Sequence, residues 1–407
     1  MRNKKQDFER LASSMDISPS MYQYAVERYQ GMAQFLSESG IEAHFYPQGS
    51  FRAGTVVRPL KDGKETDFDI DVVCELTIAK DKTSPRDVKQ GVGTTLKDSK
   101  EYGPKMRPEE DRCWTLDYAN VSGNIGLSMD VVPCVHEGDT ECLHLKSLGV
   151  SAAFADKAVA ITEKKSTTSY IWQASNPDGY GDWFDSINRP FLLVGLHERK
   201  ERILNENRTM FASVDDVPDY YVRSPLQVCI QILKRHRDLF YAESDKEGKC
   251  RLASVIITTL AAQIANGTQP ADVDVLLPRI VEGIDDYSEL LQGRRPRNEA
   301  YHMQKAFINR KDKKWVIPNP VNPEDNFADS WTDETAQMFF RWVKAVKGDF
   351  VDTTPVEERK YLAGLNSGFG LSFVEKVLNP YASNITSVNS TVSRPSSITP
   401  TKPWGAI

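Results

Sequence analysis

The stretch Thr66-Asp67-Phe68-Asp69-Ile70-Asp71-Val72-Val73 alternates acid and apolar residue without a break. A side-chain period of two belongs to an extended strand, so Asp67, Asp69 and Asp71 share one face and Phe68, Ile70 and Val72 the other. The apolar face needs a core, and the acidic face needs a reason. Three like charges at i, i+2 and i+4 repel one another unless water solvates them or a divalent cation sits among them. Mg²⁺ takes hard oxygen ligands and keeps room in its octahedron for phosphate and water. A solvated edge strand is the plain alternative, and the flanking sequence has to decide.

Upstream, Ser18-Pro19 supplies a helix N-cap and a proline for the first helical position. Tyr22, Val26, Tyr29, Ala33 and Leu36 follow at helical spacing, and Gly40 ends the run. A short strand over 43–46 then leads through Pro47-Gln48-Gly49-Ser50 into a short helix. Glycine lets backbone approach a phosphate, free N–H groups point at it, and the serine hydroxyl adds a donor. Downstream, strands are expected over 113–121 and 125–132, joined by Ser122-Gly123-Asn124, with a helical stretch around 84–96 before them. Asp130 is a lone acid in the second of these apolar strands.

Beyond this the pattern turns helical, over 225–241, 252–264, 272–292 and 332–346, with loops expected at 175–180 and 318–323. The domain reading is an N-terminal helix within 1–40, a catalytic core over 41–150, a mainly helical domain over 151–382, and a disordered tail over 383–407. Length agrees, because 407 residues suffice for two domains. Acids outnumber bases by 57 to 51, the opposite balance from a general nucleic-acid binder. No run approaches the roughly 20 apolar residues of a membrane span, and the first residues lead into no apolar signal core, so a cytoplasmic location is expected. The six cysteines lack zinc-ligand spacing and read as buried reduced thiols. Lys234-Arg235-His236-Arg237 reads, taken alone, as a solvated basic helix face, with His236 on the surface.

Gly-Ser, then D-x-D, then a single strand aspartate is the pattern of the DNA polymerase β-like nucleotidyltransferases. The likeness extends to the cyclic GMP-AMP synthase and bacterial dinucleotide cyclase family, which makes signals in anti-phage operons. The stretch 47–55 with 67–76 resembles its active-site signature. Ser175-Asn176-Pro177-Asp178-Gly179-Tyr180 with Trp183-Phe184, Leu233–Asp238, and Asn326-Phe327-Ala328-Asp329-Ser330-Trp331 are similar to its helical segments. The resemblance implies an α+β fold: a polymerase β-like mixed-sheet core followed by a C-terminal helical domain. It implies Asp69, Asp71 and Asp130 as catalytic carboxylates on two Mg²⁺ ions, with Mn²⁺ as an alternative. Gly49, Ser50, Lys234 and Ser254 would hold the triphosphate, while Asp67 falls outside the paired position. Val255 follows Ser254 where the animal enzyme has a stacking aromatic. The animal enzyme's zinc-binding insertion is absent, so no long-DNA activator is expected.

The implied activity joins ATP, GTP or other NTPs into a cyclic di- or trinucleotide and releases pyrophosphate. An accessory protein is expected at the C-terminal tail, around Trp404. Two other readings stay open. A transferase making linear oligonucleotides would favour a wide basic surface, for which only Arg294–Arg297 and Arg310–Lys314 look suitable. A non-catalytic module is disfavoured by the intact carboxylate set.

Overall fold

The computed structural model describes residues 2–58, 60, 61, 64, 65, 67–122, 125–245, 247–250, 252–297 and 306–379. The tail expected from residue 383, with the partner-binding role read for it, lies outside the described residues, as does the turn at Gly123-Asn124.

Two helices open the chain, α1 (Lys4–Met15) and α2 (Pro19–Glu38). The second starts where expected, with the Ser18 hydroxyl accepting from the Met21 N–H and Pro19 in the first turn. The first is absent from the sequence reading, because its apolar face of Phe8, Leu11, Ala12 and Met15 is hidden among charged residues. After it come β1 (Ala43–Gln48), α3 (Gly49–Arg52), a small ribbon of β2 (Leu60–Lys61) with β3 (Lys64–Glu65), β4 (Phe68–Leu76) and α4 (Pro85–Asp98). Then follow β5 (Trp114–Ser122), β6 (Ile125–His136), α5 (Asp139–Ser147), α6 (Ala152–Ala155), β7 (Val159–Lys164) and β8 (Tyr170–Ser175).

Six of these strands make one sheet in the order β1-β4-β6-β7-β8, with β5 also on β6. Only the β4–β6 pair in it is parallel, which requires the crossover that α4 and β5 supply. The long strand β6 gives one edge to β4; its other edge takes β5 with the first half and β7 with Cys134–His136. A boundary near residue 150 therefore falls inside the sheet. β6 runs past its expected end at 132, and that extension recruits β7 and β8.

The helical half contains α7 (Pro177–Leu192), α8 (Leu196–Glu206), α9 (Pro225–Ser244), α10 (Ser254–Ala265) and α11 (Val273–Asp285). Helices over Asp333–Val346, Glu358–Phe369 and Leu371–Leu378 follow. Residues 175–180 are not a loop. Asn176 caps α7, its Oδ1 accepting from the Gly179 N–H at 3.0 Å, and Pro177 opens the helix. Asn-Pro-Asp-Gly serves equally well as turn chemistry, and this produced the wrong reading. Residues 318–323 likewise belong to a hairpin: after β9 (Asn309–Lys311) and β10 (Lys314–Val316), β11 (Pro318–Asn319) pairs with β12 (Asn322–Asn326).

Most buried apolar side chains fall into two cores, one against the sheet and one in the helical half. Phe68, Ile70 and Val72 of β4 pack with Met21, Ala25 and Leu36 of α2 and Val92 and Leu96 of α4. Each of these fully buried side chains larger than alanine contributes roughly 1.5–3 kcal/mol. The helical core collects Leu226, Ile230 and Leu233 of α9, Ile257 and Leu260 of α10, and the buried face of α1. The chain's first helix thus packs on its last domain, not on the sheet.

Helix α9 joins the halves through polar side chains. Gln227 Nε2 donates to Ala53 O (2.8 Å), Gln231 Nε2 to Val56 O (2.8 Å), Lys234 Nζ to Thr55 O (3.1 Å), and Arg235 Nη2 to Arg58 O (2.8 Å). These residues lie on one helix face and satisfy the carbonyls of the extended segment after α3. The basic run is therefore not a solvated face: Lys234, Arg235 and His236 are all buried. His236 is no surface residue either, with Nε2 3.1 Å from Asp349 Oδ2 and its ring on Phe350. All six cysteines are buried free thiols. Among the described residues no helix is long and apolar enough to cross a membrane.

Candidate active site

The register of the sheet assembles the acids. On adjacent parallel strands Asp71 pairs with Asp130 and Asp69 with Ser128, while on the far side of β6 Thr115 faces Asp130 and Asp117 faces Ser128. Directly opposed residues share a face, so two polar rows cross three strands. In one row Thr115 Oγ1 donates to Asp130 Oδ1 at 2.5 Å. In the other, Ser128 Oγ lies 3.4 Å from Asp117 Oδ1, and Arg107 Nε donates to Asp117 Oδ2 at 2.6 Å. Asp67 is spent elsewhere, its Oδ1 accepting from the Gly126 N–H at 2.6 Å and pinning β4 to β6.

Helix α3 brings the backbone to Asp71. Gly49 has φ +64°, and a Cβ there would lie 2.6 Å from Asp71 Oδ2, so both conformation and space require glycine. Burial, then the charges of Asp130 and Asp69, raise the Asp71 carboxyl to about 8, with Lys234 pulling the other way. Burial also raises Asp130, opposed by the Thr115 hydroxyl and the Arg107 charge. For Lys234, burial comes first and the Arg237 charge second in lowering the ammonium to about 7.

A cleft of about 250 Å³ opens beside these strands. Gly49, Ser50, Thr55 and Asp71 line it from the sheet side; Asn176, Tyr180, Lys234, Ser254 and Val255 line it from the helices. Five of the seven expected site residues thus share one cavity. Asp69 and Asp130 lie next to Asp71 on the same sheet face without lining it. Lys234 Nζ also donates to Thr55 Oγ1 at 2.9 Å, and Ser254 Oγ accepts from Arg237 Nη1 at 2.7 Å. The remaining wall is Asn319, Asp325 and Phe327, on and just after the β11–β12 hairpin; the 318–323 loop and the family-like segment from Asn326 include Asn319 and Phe327, but neither reading places them at the site. Phe327 meets Tyr180 edge to face, ring centroids 6.4 Å apart. A short hairpin far from the acidic strand carries no local signal linking the two.

The donor set suits a divalent cation. Burial first and then its acidic neighbours oppose ionisation of the half-buried Asp71 carboxyl, a cost that a bound cation would offset. Among the described residues no three His, Cys, Asp or Glu side chains converge into a finished metal cage. Asp130 is engaged instead by the Thr115 hydroxyl.

A mixed sheet carrying paired strand aspartates, with a Gly-Ser turn above them and a helical half closing a cleft, defines a polymerase β-like nucleotidyltransferase. Residues 1–145 match the Second Messenger Oligonucleotide or Dinucleotide Synthetase (SMODS) domain. The chain is 26% identical over 350 residues to the c-di-GMP synthase of Roseivirga ehrenbergii, covering 84% of this chain and 77% of that protein. It is 24% identical over 346 residues to the cyclic dinucleotide synthase CdnG of Bradyrhizobium diazoefficiens, covering 81% and 70%. The fold matches the structure of that organism's CD-NTase CdnG in complex with GTP, with TM-score 0.66 at 20% identity over 93% of this chain and 99% of that one. The E. coli MS115-1 CdnC structure with ATP matches with TM-score 0.55 at 16% identity over 90% and 98%. Residues 1–145 thus resemble a second-messenger synthetase domain, and the likeness to the two cyclic dinucleotide synthases runs over more than four-fifths of the chain.

Proposed function

We propose that the protein joins nucleoside triphosphates into a cyclic di- or trinucleotide, releasing pyrophosphate, with Asp69, Asp71 and Asp130 holding two Mg²⁺ ions. The observation that carries this is the Asp71–Asp130 pairing across parallel strands, next to a cleft lined by Gly49, Ser50 and Lys234. Bound Mg²⁺ would supply charge neutralisation of the triphosphate and activation of the attacking hydroxyl. The chain's own part is positioning. Gly49 and Ser50 offer backbone and hydroxyl donors, Lys234 a point charge for phosphate, and Tyr180 with Phe327 ring surface for a base.

The two relatives are a c-di-GMP synthase and a cyclic dinucleotide synthase, which favours the cyclic product. A wide basic surface for a long acceptor finds little support, because its candidate arginines are paired. Arg294 donates to Glu289 at 2.6 Å, Arg297 to Asp285 at 2.7 Å and Arg310 to Asp333 at 2.7 Å. A role in anti-phage signalling in the cytoplasm, and an accessory protein at the tail, rest on the family resemblance alone. The test is incubation with each labelled NTP and Mg²⁺, followed by phosphatase. A phosphatase-resistant product without a free end supports cyclisation; a phosphatase-sensitive oligonucleotide identifies a linear-product transferase; no product from any NTP overturns the reading.

A further inference from the structure

The wall formed by the β11–β12 hairpin presents a particular hydrogen-bonding pattern to the cleft. Asn319 is buried, and both ends of its amide are in use: Oδ1 accepts from the Val321 N–H at 3.1 Å, and Nδ2 donates to Asp325 Oδ2 at 3.0 Å. The asparagine therefore offers the cleft little of its own. What it does is aim a carboxylate. Asp325 is half-buried and lines the cavity beside Phe327, and its ionised form only accepts hydrogen bonds, through up to about four lone-pair positions.

The support beneath is firm. Asn326 Oδ1 accepts from Ile317 N (2.9 Å) and Ala328 N (3.0 Å), while its Nδ2 donates to Trp315 O (2.8 Å). Three bonds from one buttressing side chain fix the backbone that carries Asp325 and Phe327. Specificity groups held this way lose little freedom on binding.

A carboxylate next to an aromatic ring discriminates among bases. Guanine alone carries two adjacent donors, N1–H and the N2 amine, on its pairing edge. Adenine and cytosine place one amine beside a ring-nitrogen acceptor, whose lone pair would face the carboxylate. Uracil places one N–H between two carbonyls. We infer that Asp325, oriented by Asn319, reads guanine in this cleft, so that GTP is the nucleotide the hairpin wall selects. The inference rests on the reading of the cleft as a nucleoside triphosphate site.

Inosine triphosphate separates the contributions, because it keeps N1–H and lacks only the N2 amine. Binding of GTP, ITP and ATP to the full chain is measured by calorimetry with Ca²⁺ in place of Mg²⁺. One charge-assisted hydrogen bond corresponds to about a tenfold to hundredfold preference for GTP over ITP. Asp325→Asn should bring that ratio to within about threefold while ATP binding changes little. Equal binding of GTP and ITP by the wild-type protein overturns the inference, as does an Asp325→Asn loss shared alike by all three. In those cases the triphosphate site itself still stands. Failure of all three nucleotides to bind removes the site and the inference together.

Discussion

Asp71 and Asp130 face each other across the one parallel strand pair of the six-stranded sheet, and the Asp130 charge adds to burial in raising the cost of ionising Asp71. Such an arrangement is poised for a cation. It also leaves a signature when no cation is present. In an acid whose folded carboxyl is raised from 3.8 to about 8, the native state holds a proton that the unfolded chain has released. Stability is therefore fully present below about pH 4 and is lost as pH climbs towards 8.

The first prediction follows directly. Asp71→Asn should make the metal-free protein more stable than wild type, by about 1–3 kcal/mol at pH 8 and by almost nothing at pH 4. Combined with Asp69→Asn, the same change should cut turnover by more than about a hundredfold, roughly 2.7 kcal/mol of barrier. Denaturant melts at the two pH values, together with a rate assay, decide it. Retained activity removes the metal assignment. Wild-type affinity for Mg²⁺ should also rise with pH up to about 8, since binding must expel the Asp71 proton.

A second prediction uses two glycines of like conformation. Gly40 (φ +89°) and Gly49 (φ +64°) both sit in the left-handed region, but only at Gly49 would a Cβ strike something, the Asp71 carboxylate at 2.6 Å. Gly40→Ala should cost about 1 kcal/mol of stability and no activity. Gly49→Ala should pay the same conformational cost and in addition displace Asp71, reducing turnover by at least about tenfold. Equal kinetic effects of the two substitutions would show that the close approach has no role.

The third concerns Lys234. Its ammonium is lowered from 10.5 to about 7, so the charged form costs stability at and below neutral pH, and that cost fades as pH rises from 7 towards 10.5. Lys234→Met removes the buried charge but leaves Thr55 without its partner, so net stability at pH 7 should stay within about 1 kcal/mol of wild type. Nucleotide affinity should nonetheless fall by about tenfold or more, to a similar degree for every base, because the lost contact is to phosphate. A base-dependent loss would move Lys234 away from the triphosphate.

Much of this was legible in the chain because local pattern and final role coincide. The alternation around Asp69 and Asp71, the Ser18-Pro19 cap and the Gly-Ser turn each announce their own structure. What escaped was decided by distant partners. Lys234-Arg235-His236 has the composition of a wetted face; it is buried because Gln227, Gln231, Lys234 and Arg235 satisfy carbonyls of residues 53–58, nearly 180 positions away. The carboxylate of Asp325 reaches the cleft in company with Phe327, whose ring meets Tyr180 of α7. Neither fact has a periodicity from which it could be read.

The last prediction concerns how the Gly49-Ser50 turn is held against the helical half. Arg52, in α3 two residues after Ser50, donates through Nη1 to Asp185 at 2.7 Å and through Nη2 to Asp182 at 3.1 Å, both on α7. Gly181 makes room for it, since a Cβ there would lie 2.9 Å from Arg52 Nε. Lys157 bridges the same helix, 2.7 Å from Asp178 and 2.5 Å from Asp182. Asp178 and Asp182 are half-buried and Asp185 is exposed, so water screens the clasp and it contributes little to global stability, about 1 kcal/mol or less. Its geometry matters more: α7 carries Asn176 and Tyr180 into the cleft, and α3 carries Gly49 and Ser50. Arg52→Lys keeps the charge but cannot span two carboxylates with a planar fork. It should leave the melting temperature nearly unchanged and raise KM for nucleotide severalfold, with a smaller drop in kcat. Wild-type KM should drift upward with salt, and the variant's should do so less. A variant with wild-type KM at every ionic strength would mean that the two halves are held in place by packing and the α9 bonds alone.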